Sequence, residues 1–382
     1  KRVSRAPERE NLDDLYYGSN SHNFIQALRT FPIIYNYVSR NSEKQIIADL
    51  KNNRRAINPD LYKSYSENLR KAVGGVLDSD NYGDKFWEMQ QEMQANVSRF
   101  AAYKAHQATQ EILEYVDSDD YETKAKQIIN RYNRYQVAEY NTTVARSRTA
   151  LQWVEFTEDD LKNQMYPNLK WLPSSSADPR EEHRLFYGLV LPKNDPFWNS
   201  NYPGNLWNCK CDWEETDEPA FTGEVAYVKP HNGLGGNPAK DKIIFTDDAS
   251  YVKNAGKEID RLVLGCVRNN HLEWAKNHLK GTSVKHPDVE SEIKFSTRGI
   301  KEYLNQPFDD IYLKNELIRS MDKILEKAEF QGTSEYKGKR SLIFKTTVNN
   351  NHYFLIVRKY TNGLFFHSIT DSDKVLLDIK RK

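Results

Sequence analysis

The sequence predicts a multidomain α+β protein: an N-terminal helical part, an irregular Pro/Trp/Cys loop module, and C-terminal helices followed by a small antiparallel sheet. Three observations predict it. Apolar residues recur at spacings of three and four through the first part, as in Phe86, Met89, Met93, Val97 and Phe100. Between Trp171 and Trp213 the chain packs four Trp, five Pro, two Cys and one His, and prolines fix φ and remove amide donors. Near the C-terminus, short apolar runs alternate with Asn-, Gly- and Asp-rich turns.

Taken in order, residues 1–21 read as a flexible lead, charged and rich in Asn and Ser. Residues 22–153 read as helical. Gly74-Gly75 and Gly83 punctuate this part, and Asp117-Ser118-Asp119-Asp120 supplies N-cap candidates ahead of a stripe formed by Ile128, Tyr132 and Tyr135. Both stripes read as buried faces. Residues 154–258 form the loop module, and through its Trp171–Trp213 stretch a regular helix or strand is not expected. Its glycines, Gly233, Gly235 and Gly236, match no phosphate-binding pattern and read as a connector. Residues 259–382 read as an α+β unit. A helix carries Leu313, Leu317, Met321, Ile324, Leu325 and Ala328 on one face, and strands are expected over 341–348, 352–359, 364–370 and 375–379.

Composition bounds the function. A chain of 382 residues is long enough for two or three cores, and a formal net charge of +1 gives no global drive toward nucleic acid. No apolar run reaches the ~18 residues that span a bilayer, and no secretory leader is visible, so no membrane partner is expected. Cys209 and Cys211 stand one residue apart and are poorly placed to bridge each other, which argues against a disulfide framework and for a reducing compartment.

Cys209 and Cys211 offer two thiolates, with His183 as third and Asp178 as fourth candidate ligand of a tetrahedral zinc site. Inert packing or redox-sensitive thiols are the other reading. Trp198, Trp207 and Trp213 serve either as interface anchors or as the core of a module with few other apolar residues.

The order Asp178, His183-Arg184, Gly188, Asp195-Pro196-Phe197-Trp198, Pro203-Gly204, Cys209 and Cys211 resembles the signature of the phage Mu F-like minor head proteins, the phage head morphogenesis family. Val137-Ala138-Glu139-Tyr140 and, further on, Asn237-Pro238 and Ile244-Phe245-Thr246 extend the resemblance. It implies a phage or prophage minor head protein acting in capsid assembly or DNA packaging near the portal. Portal and capsid proteins would be its partners, in a virion or the bacterial cytoplasm. Gly299-Ile300-Lys301-Glu302, Asn305-Gln306-Pro307, Lys314-Asn315-Glu316 and His352-Tyr353-Phe354 resemble a phage-associated domain of the barnase–EndoU–colicin–RelE nuclease type. That implies a metal-independent ribonuclease toxin carried behind the head module, with RNA as its substrate.

Such cleavage needs a base, an acid and cations for the phosphorane. His352 and His367 are the candidate acid–base pair, with Arg358 and Lys345 for phosphate charge, Ser368 or Thr370 as hydrogen-bond donor, and Arg298 and Lys301 as alternative phosphate binders. The alternative is a non-enzymatic head protein whose C-terminal sheet binds a protein partner.

Overall fold

The computed structural model describes residues 40–79, 84–176, 179–336, 338–377 and 379–380. The proposed flexible lead and Asp178 lie outside the described residues. The chain is mixed α+β, as its sequence predicts.

Helices α1 (Arg40–Asn52), α2 (Pro59–Gly74), α3 (Lys85–Leu113) and α4 (Tyr121–Thr157) form the first layer. Local chemistry starts two of them. Asn58 accepts from the amides of Asp60 and Leu61 ahead of Pro59, and Asp84 accepts from the amide of Trp87. Met89, Met93, Val97 and Phe100 are buried on α3, and Ile128 and Tyr132 on α4, whereas Tyr135 is 46% exposed and leaves the expected stripe. Lys104 on α3 is fully buried and donates to Glu139 of α4 at 2.5 Å. Glu139 also accepts from the Tyr251 hydroxyl at 3.0 Å. The Ala-Glu-Tyr element noted in the sequence thus marks a buried ion pair between two long helices. Burial pushes the Lys104 ammonium down, and Glu139 opposes that shift.

With 37 residues, α4 runs beyond the bundle and forms one wall of the loop module, a length of roughly 55 Å. After α5 (Asp160–Met165), this module does contain regular strands. β1 (Asn168–Leu172) lies between β2 (Val190–Pro192) and β3 (Asp212–Thr216), antiparallel to both, with the short helix α6 (Glu181–Arg184) between β1 and β2. The prolines explain why this was not expected from the sequence. Pro173 follows the end of β1 and Pro192 is the last residue of β2, so both terminate strands instead of interrupting them.

Trp171, Trp198 and Trp213 are fully buried here. Trp171 stacks on Trp198 at 6.4 Å, Trp198 meets Trp213 edge-on at 5.5 Å, and Trp213 lies 5.7 Å from Trp153 of α4. These tryptophans are core, not interface anchors. The Asp-Pro-Phe-Trp element is a 3-10 turn in which Asp195 accepts from the Phe197 amide at 2.8 Å and Trp198 drops inward.

After α7 (Pro238–Asp241) and α8 (Ser250–Lys253), helix α9 (Lys257–His278) joins the two cores. Its Val263 and Val267 pack with the first core and its Ala275 with the second. The second core lies against a seven-stranded sheet. β4 (Ser283–Val284) and β5 (Ile293–Lys294) precede the helices α10 (Thr297–Asn305), α11 (Ile311–Leu317) and α12 (Met321–Lys327). β6 (Glu329–Tyr336), β7 (Lys339–Val348), β8 (Asn351–Tyr360), β9 (Gly363–Thr370) and β10 (Ile379–Lys380) complete it. The order is β10-β6-β7-β8-β9-β5-β4, and only the β5–β9 pairing is parallel. The expected strand over 375–379 is instead a 3-10 turn, Asp373–Leu376, leading into β10.

Candidate functional site

The loop module brings together three of the four proposed metal ligands. His183 rides on α6 and is fully buried, with its ring edge-on to Trp171 at 5.0 Å. Gly188, at φ +77°, donates its amide to the Trp171 carbonyl and turns the chain back along β1. Cys209 and Cys211 arrive from the other side, immediately before β3. Asn208, in the left-handed region at φ 59°, makes the bend that aims them inward. Two hydrogen bonds hold this bend: the Asn208 amide to Thr142 Oγ1 at 2.9 Å, and the Ser175 amide to the Lys210 carbonyl at 3.1 Å.

The result is compact. His183 Nδ1 lies 3.2 Å from Cys209 Sγ and 3.5 Å from Cys211 Sγ, and the three ligand atoms all fall within 4.8 Å of one another. The second imidazole nitrogen sets the tautomer. His183 Nε2 is 2.7 Å from Asn205 Oδ1. Asn205 is fully buried, and its Nδ2 donates to the Ser200 carbonyl at 2.9 Å, which leaves only its oxygen to face the ring. In the neutral imidazole Nε2 then carries the proton, and the Nδ1 lone pair points at the two sulfurs. Burial pushes the Cys209 thiol up, but the hydrogen bond from Cys211 and the charge of His183 when its ring is protonated outweigh it and hold Cys209 well below the usual thiol range. Cys211 moves the other way, raised by its bond to Cys209 and by burial.

Beside the sulfurs is a cavity of about 50 Å³, lined by Cys209, Cys211, Gln152 and the Arg148–Asp212 ion pair among others. It has room for a water molecule beside the sulfurs. Arg184, the neighbour of His183, is exposed and pairs only with Glu181 at 3.3 Å.

Sequence reasoning missed Arg146. It is fully buried on α4, and its guanidinium donates to the carbonyls of Leu234 at 2.8 Å and of Gly235 and Ile243 at 3.0 Å, and to the Tyr202 hydroxyl. Gly204, at φ +105°, passes directly over it, and a Cβ there would lie 3.2 Å from Arg146 Cγ. Asn205 was missed as well, although it directly follows the Pro203-Gly204 pair that the sequence singled out.

The C-terminal candidates do not converge in the same way. His367 is the extra residue of a bulge in β9: Ile356 pairs with Ser368 and Val357 with Phe366. His352 lies near the start of β8, opposite Thr347 and two residues before Phe354, the partner of Thr370. Four to five strand residues separate the levels of the two histidines, about 15 Å at the rise of a strand. His352 is exposed and 3.0 Å from the Thr347 hydroxyl. The paired-histidine geometry expected from the sequence does not form.

His367 and Ser368 are buried at the centre of the sheet. Burial pushes His367 down to about 4, helped by Arg358, Arg298 and Lys339 and opposed by Glu302. Arg358 pairs with Phe365 and Ser341 across the strands. Lys314 of the Lys-Asn-Glu element is buried, and its ammonium caps α10 through the carbonyls of Tyr303, Leu304 and Gln306. Desolvation lowers Lys314 to about 7.

Two comparisons place parts of the chain. Residues 266–367, a little over a quarter of it, match the family model of the large polyvalent protein-associated domain 3. Over 92 residues the chain is 29% identical to the "Putative capsid assembly protein F" of Escherichia phage Mu, a stretch that covers 24% of this chain and 20% of that protein. The matched part thus spans about a fifth of the relative's length. No solved structure matches. Among the described residues, no helix is long and apolar enough to cross a membrane.

Proposed function

We propose that this protein acts in phage head assembly, as a minor head component beside the portal. The observation that carries the reading is the 29% identity, over 92 residues, to the "Putative capsid assembly protein F" of Escherichia phage Mu. The loop module supports it as a rigid structural part. Trp171, Trp198 and Trp213 are buried, its cation Arg146 is spent on loop carbonyls, and the cavity at the Cys pair is small, about 50 Å³. Such a module offers a preformed surface to portal or capsid subunits, with little ordering entropy lost on docking. The test is a null mutation in the parent phage or prophage, followed by electron microscopy of lysates. The reading expects empty or aberrant heads, restored by supplying the chain in trans. Normal yields of DNA-filled heads from the null mutant would overturn it.

A ribonuclease role for the C-terminal unit is the second reading, favoured by one observation: His367 of β9 and Arg358 of β8 lie on paired strands, with Arg358 opposite Phe365, two residues from His367. An imidazole and a guanidinium on neighbouring strands suit proton transfer next to a phosphate. His352 takes no part in it. Full-length protein should then cleave RNA in EDTA, and His367→Ala should abolish cleavage. Intact RNA with the parent chain would leave the unit as a protein-binding module of the head protein.

A further inference from the structure

We propose that His183, Cys209 and Cys211 bind one zinc ion through Nδ1 and two thiolates, with a solvent molecule from the adjoining cavity as fourth ligand. The spacing is the first argument. Zn–S bonds of ~2.3 Å and Zn–N bonds of ~2.0–2.1 Å set at the tetrahedral angle give a sulfur–nitrogen edge of about 3.6 Å. The two edges present are 3.2 and 3.5 Å, so a metal enters with shifts of a few tenths of an ångström.

Orientation is the second. Asn205 acts on His183 as outer-shell groups act on metal-bound imidazoles: its Oδ1 accepts a hydrogen bond from Nε2–H and leaves Nδ1 free to ligate. The surroundings are the third. Trp171, whose ring meets the His183 ring at 5.0 Å, and Tyr187 each bury a donor, Nε1 and the hydroxyl, that has no hydrogen-bond partner. Such unpaired donors in the wall of the module leave hydrogen-bonding capacity for the outer shell of a metal centre.

Charge balances as well. With the metal bound, the ion, two thiolates and a neutral imidazole sum to zero, the form that is least costly to bury. The cavity of about 50 Å³ touches both cysteines and supplies room for the fourth, solvent ligand. The centre would tie α6 to the turn before β3, fastening two segments of the loop module that lie 26 positions apart in the chain.

The test uses the full chain, purified without chelator under reducing conditions. Elemental analysis should find about one zinc per chain. Titration of the thiols with a mercurial should release that zinc stoichiometrically, and His183→Ala, Cys209→Ser and Cys211→Ser should each lose it. Asp178→Asn should keep it. Because the ligand variants can fold poorly, the parent protein is also stripped and reloaded with Co²⁺. Intense visible d–d bands and a thiolate-to-cobalt charge-transfer band in the near ultraviolet are expected. Zinc-free parent protein that gives no such bands, or a Cys209–Cys211 disulfide in protein kept reduced, would overturn the proposal. Loss of zinc in Asp178→Asn would overturn the solvent ligand.

Discussion

Replacing Arg146 with Met should loosen the loop module more than any surface change. The side chain is fully buried and makes four hydrogen bonds, three of them to the carbonyls of Leu234, Gly235 and Ile243. A hydrogen bond to a charged group contributes ~1.5–3 kcal/mol, and a carbonyl left buried without a donor costs ~1–3 kcal/mol. Summing three or four such terms overshoots, because Met removes the desolvation cost of a buried guanidinium and fills most of its volume. The net loss should be about 3–5 kcal/mol, the range seen when one member of a buried charged network is removed. Urea unfolding followed by tryptophan fluorescence reads the global term. Amide exchange over 233–246 reads the local one and should accelerate before the long helices do. A loss under about 1 kcal/mol, or exchange over 233–246 that matches the parent, would refute the idea that Arg146 holds these loops.

Three further outcomes are expected. Arg70 of α2 pairs with the fully buried Glu316 of α11, which keeps Arg319 at 4.0 Å as a second cation, so Arg70→Ala should cost about 1.5–3 kcal/mol, the loss of one charged hydrogen bond, and Arg70→Met/Glu316→Leu should recover most of it; chemical denaturation of the cycle checks this. Glu92, which accepts from Asn349, is raised from 4.5 to about 7, first by burial and then by Asp310 and Glu88 against Lys242. The folded state therefore binds this proton more tightly than the unfolded one, and Glu92 erodes stability as pH rises from about 4.5 to 7; Glu92→Gln should flatten that slope in thermal melts across the window. His352→Ala should stay within about 0.5 kcal/mol of the parent, since the ring is exposed, and a larger drop in Tm-derived stability would show a structural role that its surroundings do not display.

The sequence showed the parts whose signal is local. The Phe86-to-Phe100 stripe repeats at helical spacing, and strands β7, β8 and β9 alternate between clear turn residues. His183, Cys209 and Cys211 stood out because few other roles suit those residue types together, although their convergence across 26 positions depends on how β1 and β3 pair. Other features carry no local mark. β6 reads Glu-Phe-Gln-Gly-Thr-Ser-Glu-Tyr, with little apolar content, and forms because β7 pairs along it. Strands β4 and β5 are two residues each. Val375, Leu376 and Leu377 looked like a strand, but the chain coils there into a 3-10 turn and leaves Leu377 81% exposed. The histidines were misjudged for a related reason: their levels in the sheet are set by β8–β9 register and the bulge at His367, neither of which is written in alternation alone. Arg146 sits mid-helix, where a sequence reading expects a solvated cation, and only the return of three distant loops buries it.

Head assembly is tested most directly by quantitative mass spectrometry of purified, DNA-filled phage particles alongside immature heads. A small fixed number of copies per portal in both fractions is the expected result. Absence of the chain from both, with normal heads otherwise, would contradict its role as a minor head protein.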